Sequence, residues 1–326
     1  MLVLPSLEDV PIGPELRWLI ETPLRVVVLD RGDGPNANAL RQAGWPIVAL
    51  NVTHAVDLRA WQTLRAELTT YRPSFVHAFG HSALRLARFA QLRSHGCPLW
   101  FTEIGESKPG WLSRRFMKGV ARIVKRDEPI APLPAIGPFE VSTPSGTLIV
   151  TDGKFAARPE WVIAIRAFDF IKAVYPDAHF LLSGEGPLIE PLARYGTQIA
   201  VGDVRFRFVG PCSDLPTFFG RSKIVWVPAV QFGAAQRLVT AMAMGCAVVA
   251  VNSPELAKIV RHGETGFLFP QGDHVELTKL TRRLLDEPGL ADRMGERARE
   301  YANEHFPVSK VVEAVRTLYH LHNSER

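Results

Sequence analysis

The feature that most constrains this chain is an alternation, kept from end to end, of short apolar runs with amphipathic stretches of helical length. A strand that reads as an unbroken apolar run needs cover on both faces. Helices between such strands supply it, so the pattern specifies parallel sheets wrapped by helices. The first half predicts strands at Arg25–Asp30, Trp45–Asn51, Ser74–Phe79 and Pro98–Thr102, with helices at Asn36–Ala43, Leu58–Thr70 and Ala83–His95. Pro129, Pro132, Pro134, Pro138 and Pro144 then crowd one stretch. Prolines at that density are excluded from helix interiors and central strands, so residues 131–145 read as a linker. A second series predicts strands at Thr147–Thr151, His179–Ser183, Arg205–Val209, Ile224–Pro228, Ala247–Val251 and Gly266–Phe269. Helices at His274–Leu285, Gly289–His305 and Ser309–Leu321 close the chain. At 326 residues the chain is too long for one ordinary core. The expected division is a domain at 1–130, the linker, a domain at 146–304, and a closing helix at 305–326 that returns to the first domain.

A hydrophobic content of 47% with 22% charged residues suits a soluble globular protein. No apolar run reaches the roughly 18 residues needed to span a bilayer, and Met1–Gly13 lacks the basic start and long apolar stretch of a secretory signal. Cys97, Cys212 and Cys246 have neither disulfide nor metal spacing and read as small core residues in a reducing compartment, so the cytoplasm is expected. Trp111–Arg126 carries six cations and no acid, with Phe116, Val120 and Ile123 at helical spacing. It reads as a basic amphipathic helix, either a solvated face or a docking surface for an anionic inner-membrane face or an anionic acceptor. No nucleic-acid partner is expected.

The sequence has no GxxxxGK[ST] phosphate loop, dinucleotide fingerprint, HExxH, G-x-S-x-G elbow or clustered metal ligands, so P-loop, dehydrogenase and simple hydrolase chemistry lose ground, and no metal or cofactor is expected. What remains lies at the ends of the second-series strands. Asp152-Gly153-Lys154, with Arg158 before a helix opening at Pro159, places two cations beside a helix start, where anions are favoured. Solvated turn residues are the plainer reading of the same pattern. Ser183-Gly184-Glu185-Gly186-Pro187 allows a tight turn and close backbone approach to a ligand. In PAVQFGAAQRLVTAMAMG (228–245) a loop with Gly233 leads into a small-residue helix. The backbone amides of Gly233, Ala234, Ala235 and Gln236 would suit a diphosphate, and Arg237 in the first turn adds a guanidinium.

Laid end to end, these segments resemble glycosyltransferase family 4, retaining enzymes of the GT-B fold. The resemblance is carried by RPSFVHAFG (72–80), DGKFAARPEWVIAIRAF (152–168), YPDAHFLLSGEGP (175–187), VRFRFVG (204–210), TAMAMGCAVVAVNSPELAKIVRHGETGFLFPQGD (240–273) and DEPGLADRMGERAREYANEHF (286–306). It implies two Rossmann-like α/β domains with parallel sheets facing across a cleft. It also implies a nucleotide-diphospho-sugar donor, held mainly by the second domain, and an acceptor of unknown class (saccharide, lipid or small molecule).

Carried over residue by residue, the resemblance assigns the donor to Gly153, Lys154, Arg158, Gly184, Glu185, Gly210, Pro211, the Phe232–Arg237 segment and Thr240. Phe232 and Thr240 stand where the family has its two donor-side glutamates. Lys154 and Pro159 stand where it has the arginine and lysine that grip the diphosphate, with Arg158 one residue away as a stand-in. Ile104 replaces the acceptor-side histidine and Lys258 a further glutamate, with Glu255 three positions before it. His81, just past the strand that ends at Phe79, is the polar candidate on the acceptor side. His77, inside that strand, reads as a core histidine. Arg158, Thr240 and His81 are the residues expected to act in catalysis. The departures also leave open a non-catalytic descendant that binds a nucleotide or sugar, or serves as a scaffold.

Overall fold

The computed structural model describes residues 1–4, 25–32, 37, 41, 44–52, 57–91, 97–102, 117, 120–124, 146–155, 158–199, 205–210, 212, 215–231, 233–307, 309–310 and 313. The chain divides into two compact units, Met1–Pro129 with Val312–Arg326, and Ile130–Val311.

The first unit holds a six-stranded sheet of β1 (Leu2–Leu4), β2 (Val26–Val28), β3 (Ile47–Ala49), β4 (Val76–Phe79), β5 (Leu99–Thr102) and β6 (Arg122–Val124), in the order β3-β2-β1-β4-β5-β6. Every pairing is parallel. Helix α1 (Leu58–Tyr71) starts where the Asp57 carboxylate accepts from the Arg59 and Ala60 amides, and ends where Arg72 turns left-handed. Helix α2 (Gly80–Gln91) follows β4 directly and buries Leu84 together with Gly80, Ala83, Ala87 and Ala90, small residues that let it lie close on the sheet.

The second unit repeats the plan. Its strands are β7 (Thr147–Lys154), β8 (Ala178–Glu185), β9 (Phe206–Val209), β10 (Ile224–Val227), β11 (Ala247–Val251) and β12 (Phe267–Phe269), in the order β12-β11-β10-β7-β8-β9 and parallel throughout. IVWV in β10 and AVVAV in β11 are buried at every position, as strands covered on both faces must be. Cover comes from α3 (Arg158–Val174), α4 (Ile189–Ile199), α5 (Leu215–Gly220), α6 (Ala234–Ala243), α7 (His274–Asp286) and α8 (Leu290–His305). The core is aromatic around Phe180, which lies 4.9 Å from Trp226 and 5.2 Å from Phe168. The one polar atom of Trp226 is satisfied where its indole N–H donates to Thr281 Oγ1 at 3.1 Å.

Several expectations need correction. Leu2–Leu4 was not read as a strand, yet it is the fully buried centre of the first sheet. The helix expected over 111–126 does not run through, because Arg122–Val124 pairs in register with Trp100–Thr102. Two β-branched residues in succession beside an open sheet edge outweigh the helical spacing of the apolar positions. The helix expected at Ala83–His95 begins at Gly80. Asp152-Gly153-Lys154 and Ser183-Gly184-Glu185, read as turns, continue β7 and β8 and face each other in register. Glycine at 184 permits this, since a Cβ there would lie 1.9 Å from the Gly153 carbonyl oxygen, and its φ of +141° suits no other residue. Of the cysteines, Cys246 is buried and Cys97 and Cys212 half-buried. No helix among the described residues is long and apolar enough to cross a membrane.

Candidate functional site

In each sheet the chain moves outward strand by strand in one direction and then starts again from the centre in the other. At that reversal the two flanking loops diverge to opposite faces and leave a crevice at the carboxyl edge, which is where open α/β sheets take ligands. In the second unit the reversal lies between β7 and β10. In the first it lies between β1 and β4.

Two side-chain ties span the reversal in the second unit. Arg237, in the first turn of α6, donates from Nε to Asp152 Oδ2 near the end of β7 at 2.6 Å. Gln231, in the loop after β10, accepts from the Lys154 backbone amide at 3.1 Å through Oε1. Gly153 makes room for that amide side chain, since a Cβ on it would stand 1.9 Å from Gln231 Nε2. Helix α6 is opened by Gly233, whose φ of +79° turns the chain into the helix without a side-chain cap. The Ala234 amide is taken by the Gln231 carbonyl, and Ala234 and Ala235 are buried while Gln236 is half-buried.

Beside this, the loop after β9 is held by one hydroxyl. Ser183, fully buried in β8, donates to the Gly210 carbonyl at 3.2 Å and accepts from the Cys212 amide at 3.1 Å. The expected donor residues Gly153, Lys154, Gly184 and Gly233–Arg237 therefore do gather at one sheet edge, with Gly210 one strand further out.

Other expectations fare differently. Thr240 is fully buried, and its hydroxyl donates to the Gln236 carbonyl one turn back at 2.7 Å. Arg237 is present at the helix start, but as half of an ion pair. Phe232 and Pro211 lie outside the described residues, as do Ile104 and the side chains of Arg158 and Glu185. Lys258 is exposed in a short 3-10 turn (Leu256–Lys258) and Glu255 is half-buried before it.

In the first unit, His81 stands in the opening turn of α2, beside the reversal, with its ring 5.3 Å from Phe101. His77 is buried and its Nε2 lies 2.8 Å from Thr102 Oγ1, as a core histidine would. Gln231 and Asp152 are the site residues that sequence reasoning passed over. An acid beside a glycine near the end of a strand, next to an expected anion site, was the signal for Asp152. Gln231 gave none. Among the described residues no group of acidic, histidine or cysteine side chains could hold a metal ion.

Comparison with known proteins places this geometry. Residues 147–287 match the model of the family described as glycosyl transferases group 1. Over 144 residues, 44% of this chain and 38% of the relative, the sequence is 28% identical to N-acetyl-alpha-D-glucosaminyl L-malate synthase of Bacillus anthracis. The chain thus matches less than half the length of that relative. Among solved structures, a glycosyltransferase from Rickettsia africae superposes with a TM-score of 0.75 at 12% identity, covering 100% of this chain and 98% of that one. Anabaena HepE, solved in complex with UDP and glucose, superposes with a TM-score of 0.74 at 16% identity, covering 98% of each chain. The chain has the two-domain GT-B fold, and residues 147–287 of its second unit match the glycosyl transferases group 1 family.

Proposed function

We propose that the protein transfers a sugar from a nucleotide-diphospho-sugar to an acceptor, with the donor seated at the carboxyl edge of the second sheet between β7 and β10. The observation that carries this reading is the convergence there of Gly153, Lys154, Gly233 and the opening turn of α6. These are backbone and cationic groups suited to an anion, and they lie at the reversal of the strand order. HepE, a fold relative, is complexed with UDP and glucose, which supports a donor of that class.

In the proposed reaction the acceptor hydroxyl attacks the anomeric carbon from the face that the diphosphate leaves. The carbon–oxygen bond to phosphate breaks as the new glycosidic bond forms. A departing phosphate oxygen takes the acceptor's proton, so the configuration is retained and no protein base is needed. The chain's share is to stabilise charge on the leaving diphosphate, through Lys154, Arg158 and the amides at the start of α6. Fixed groups of this kind are each worth about 10²–10³ in rate. The acceptor belongs to the saccharide, lipid or small-molecule class.

One observation favours a second reading, binding without transfer. Thr240, at a position where the resembled family has a carboxylate, is buried and bonded within its own helix. Turnover of radiolabelled UDP-, GDP- and ADP-sugars over a broad acceptor panel separates the two. Transfer, or donor hydrolysis in the absence of acceptor, supports the enzyme. Calorimetric binding of a nucleotide with neither reaction supports the binding module.

A further inference from the structure

We propose that Asp152 is a positioning residue, which seats the Arg237 guanidinium over Gly233 so that it meets the anionic part of a ligand arriving between β7 and β10. The inference rests on the donor reading above and adds a residue and a role that sequence resemblance does not supply. The seat is assembled from two loops. Asp152 lies two residues before the end of β7, Arg237 lies in the first turn of α6, and the pair closes at 2.6 Å with the arginine side chain 18% exposed and the aspartate 6%. Gly233 is the floor, because a Cβ there would come within 2.6 Å of Arg237 Nη1.

Three considerations point to function over stability. A cation in the first turn of a helix opposes the helix dipole, so an arginine here carries a small penalty unless something repays it. A largely buried ion pair is weak as a stabiliser, and apolar residues of similar volume commonly replace one without loss. The pair also lies at the one edge of this sheet where a ligand is expected, with the guanidinium the more accessible partner. The carboxylate costs the site some attraction for anions and offsets that cost by fixing the direction of the arginine's donors before the ligand arrives.

These two effects of Asp152 have opposite signs, which makes the inference testable. By Coulomb's law alone, removing a negative charge beside an anion site tightens anion binding. Removing a positioning group weakens it. The full chain and its variants are titrated calorimetrically with pyrophosphate and with UDP at matched ionic strength. Asp152→Ala is expected to weaken both probes by about tenfold, the worth of one oriented charge-assisted contact. Asp152→Asn, which keeps an oxygen for the Arg237 Nε–H, recovers most of the affinity. Arg237→Gln weakens both probes at least as much, and adding Asp152→Ala to it changes nothing further.

Unchanged or tighter binding by Asp152→Ala overturns the inference and leaves the donor reading standing. Weakening confined to UDP also overturns it, since the effect then belongs to the nucleoside. Binding of neither probe by the unaltered chain overturns both. Should Asp152→Ala fail to fold, Asp152→Asn and Arg237→Gln decide the matter. Loss of pyrophosphate binding in Arg237→Gln but not in Asp152→Asn supports positioning, and equal affinities in the two overturn it.

Discussion

Gly153→Ala is the substitution whose consequence the structure fixes most narrowly. The added Cβ would stand 1.9 Å from Gln231 Nε2 and 2.8 and 2.9 Å from two carbons of the Trp161 ring. Gln231 can swing aside, but it then gives up its bond to the Lys154 amide, a loss of about 1 kcal/mol. Trp161 cannot swing. It is 1% exposed and stands edge-on to Phe155 with ring centroids 4.8 Å apart, so crowding it costs about 1–3 kcal/mol. Together these give a loss of about 2–4 kcal/mol. Urea unfolding followed by tryptophan fluorescence should show a lower midpoint with an unchanged slope. Gln231→Ala removes the bond without crowding, so the double variant should lose less than the sum of the singles by about 1 kcal/mol. A Gly153→Ala loss below about 0.5 kcal/mol, or strict additivity, would refute the close packing of these three residues.

Thr281→Val leaves the buried Trp226 indole N–H without its acceptor and should cost about 1–3 kcal/mol in the same unfolding assay; no loss would mean the bond at 3.1 Å contributes nothing. Burial pushes the Cys246 thiol up to about 12 from an ordinary 9.0, so the folded chain holds a proton that the unfolded chain releases. Its contribution is intact below the unfolded value and falls as pH rises above it, by about 1.4 kcal/mol at pH 10. Comparing pH 8 with pH 10, Cys246→Ala should show a decline smaller by that amount, and an equal decline would contradict the assignment. Thr240→Val should leave calorimetric UDP affinity within about twofold, because the hydroxyl serves its own helix; a tenfold loss would restore a ribose contact.

What the sequence discloses and what it hides follow from range. The parallel sheets are legible because AVVAV and IVWV must be covered on both faces, and α1 and α7 because Asp57 and Asp273 cap amphipathic stretches. Strands β1 and β6 are not: Leu2–Leu4 is a bare apolar run at the start of the chain, and Arg122–Val124 lies where Phe116, Val120 and Ile123 fall at helical spacing. At the site, Gly153, Gly184 and Gly233 were legible as places of close approach or left-handed backbone. The partnerships were not. Asp152 and Arg237 are 85 positions apart, and Gln231 and Lys154 77 apart. They meet only because the strand order sets β7 beside β10, a fact no local window contains. For the same reason Arg237 read as a cation waiting for phosphate, when it is already held by a carboxylate. That the Thr240 hydroxyl donates to the Gln236 carbonyl was likewise not visible in the residue type.

The central claim is that a nucleoside diphosphate enters the second sheet at its carboxyl edge, between β7 and β10. Backbone amide hydrogen exchange of the full chain, with and without saturating UDP, tests it most directly. The account predicts slowed exchange concentrated at 153–155 and 231–237, the two segments joined across the reversal. Protection confined to other segments, or none under conditions where calorimetry shows UDP bound, would contradict it.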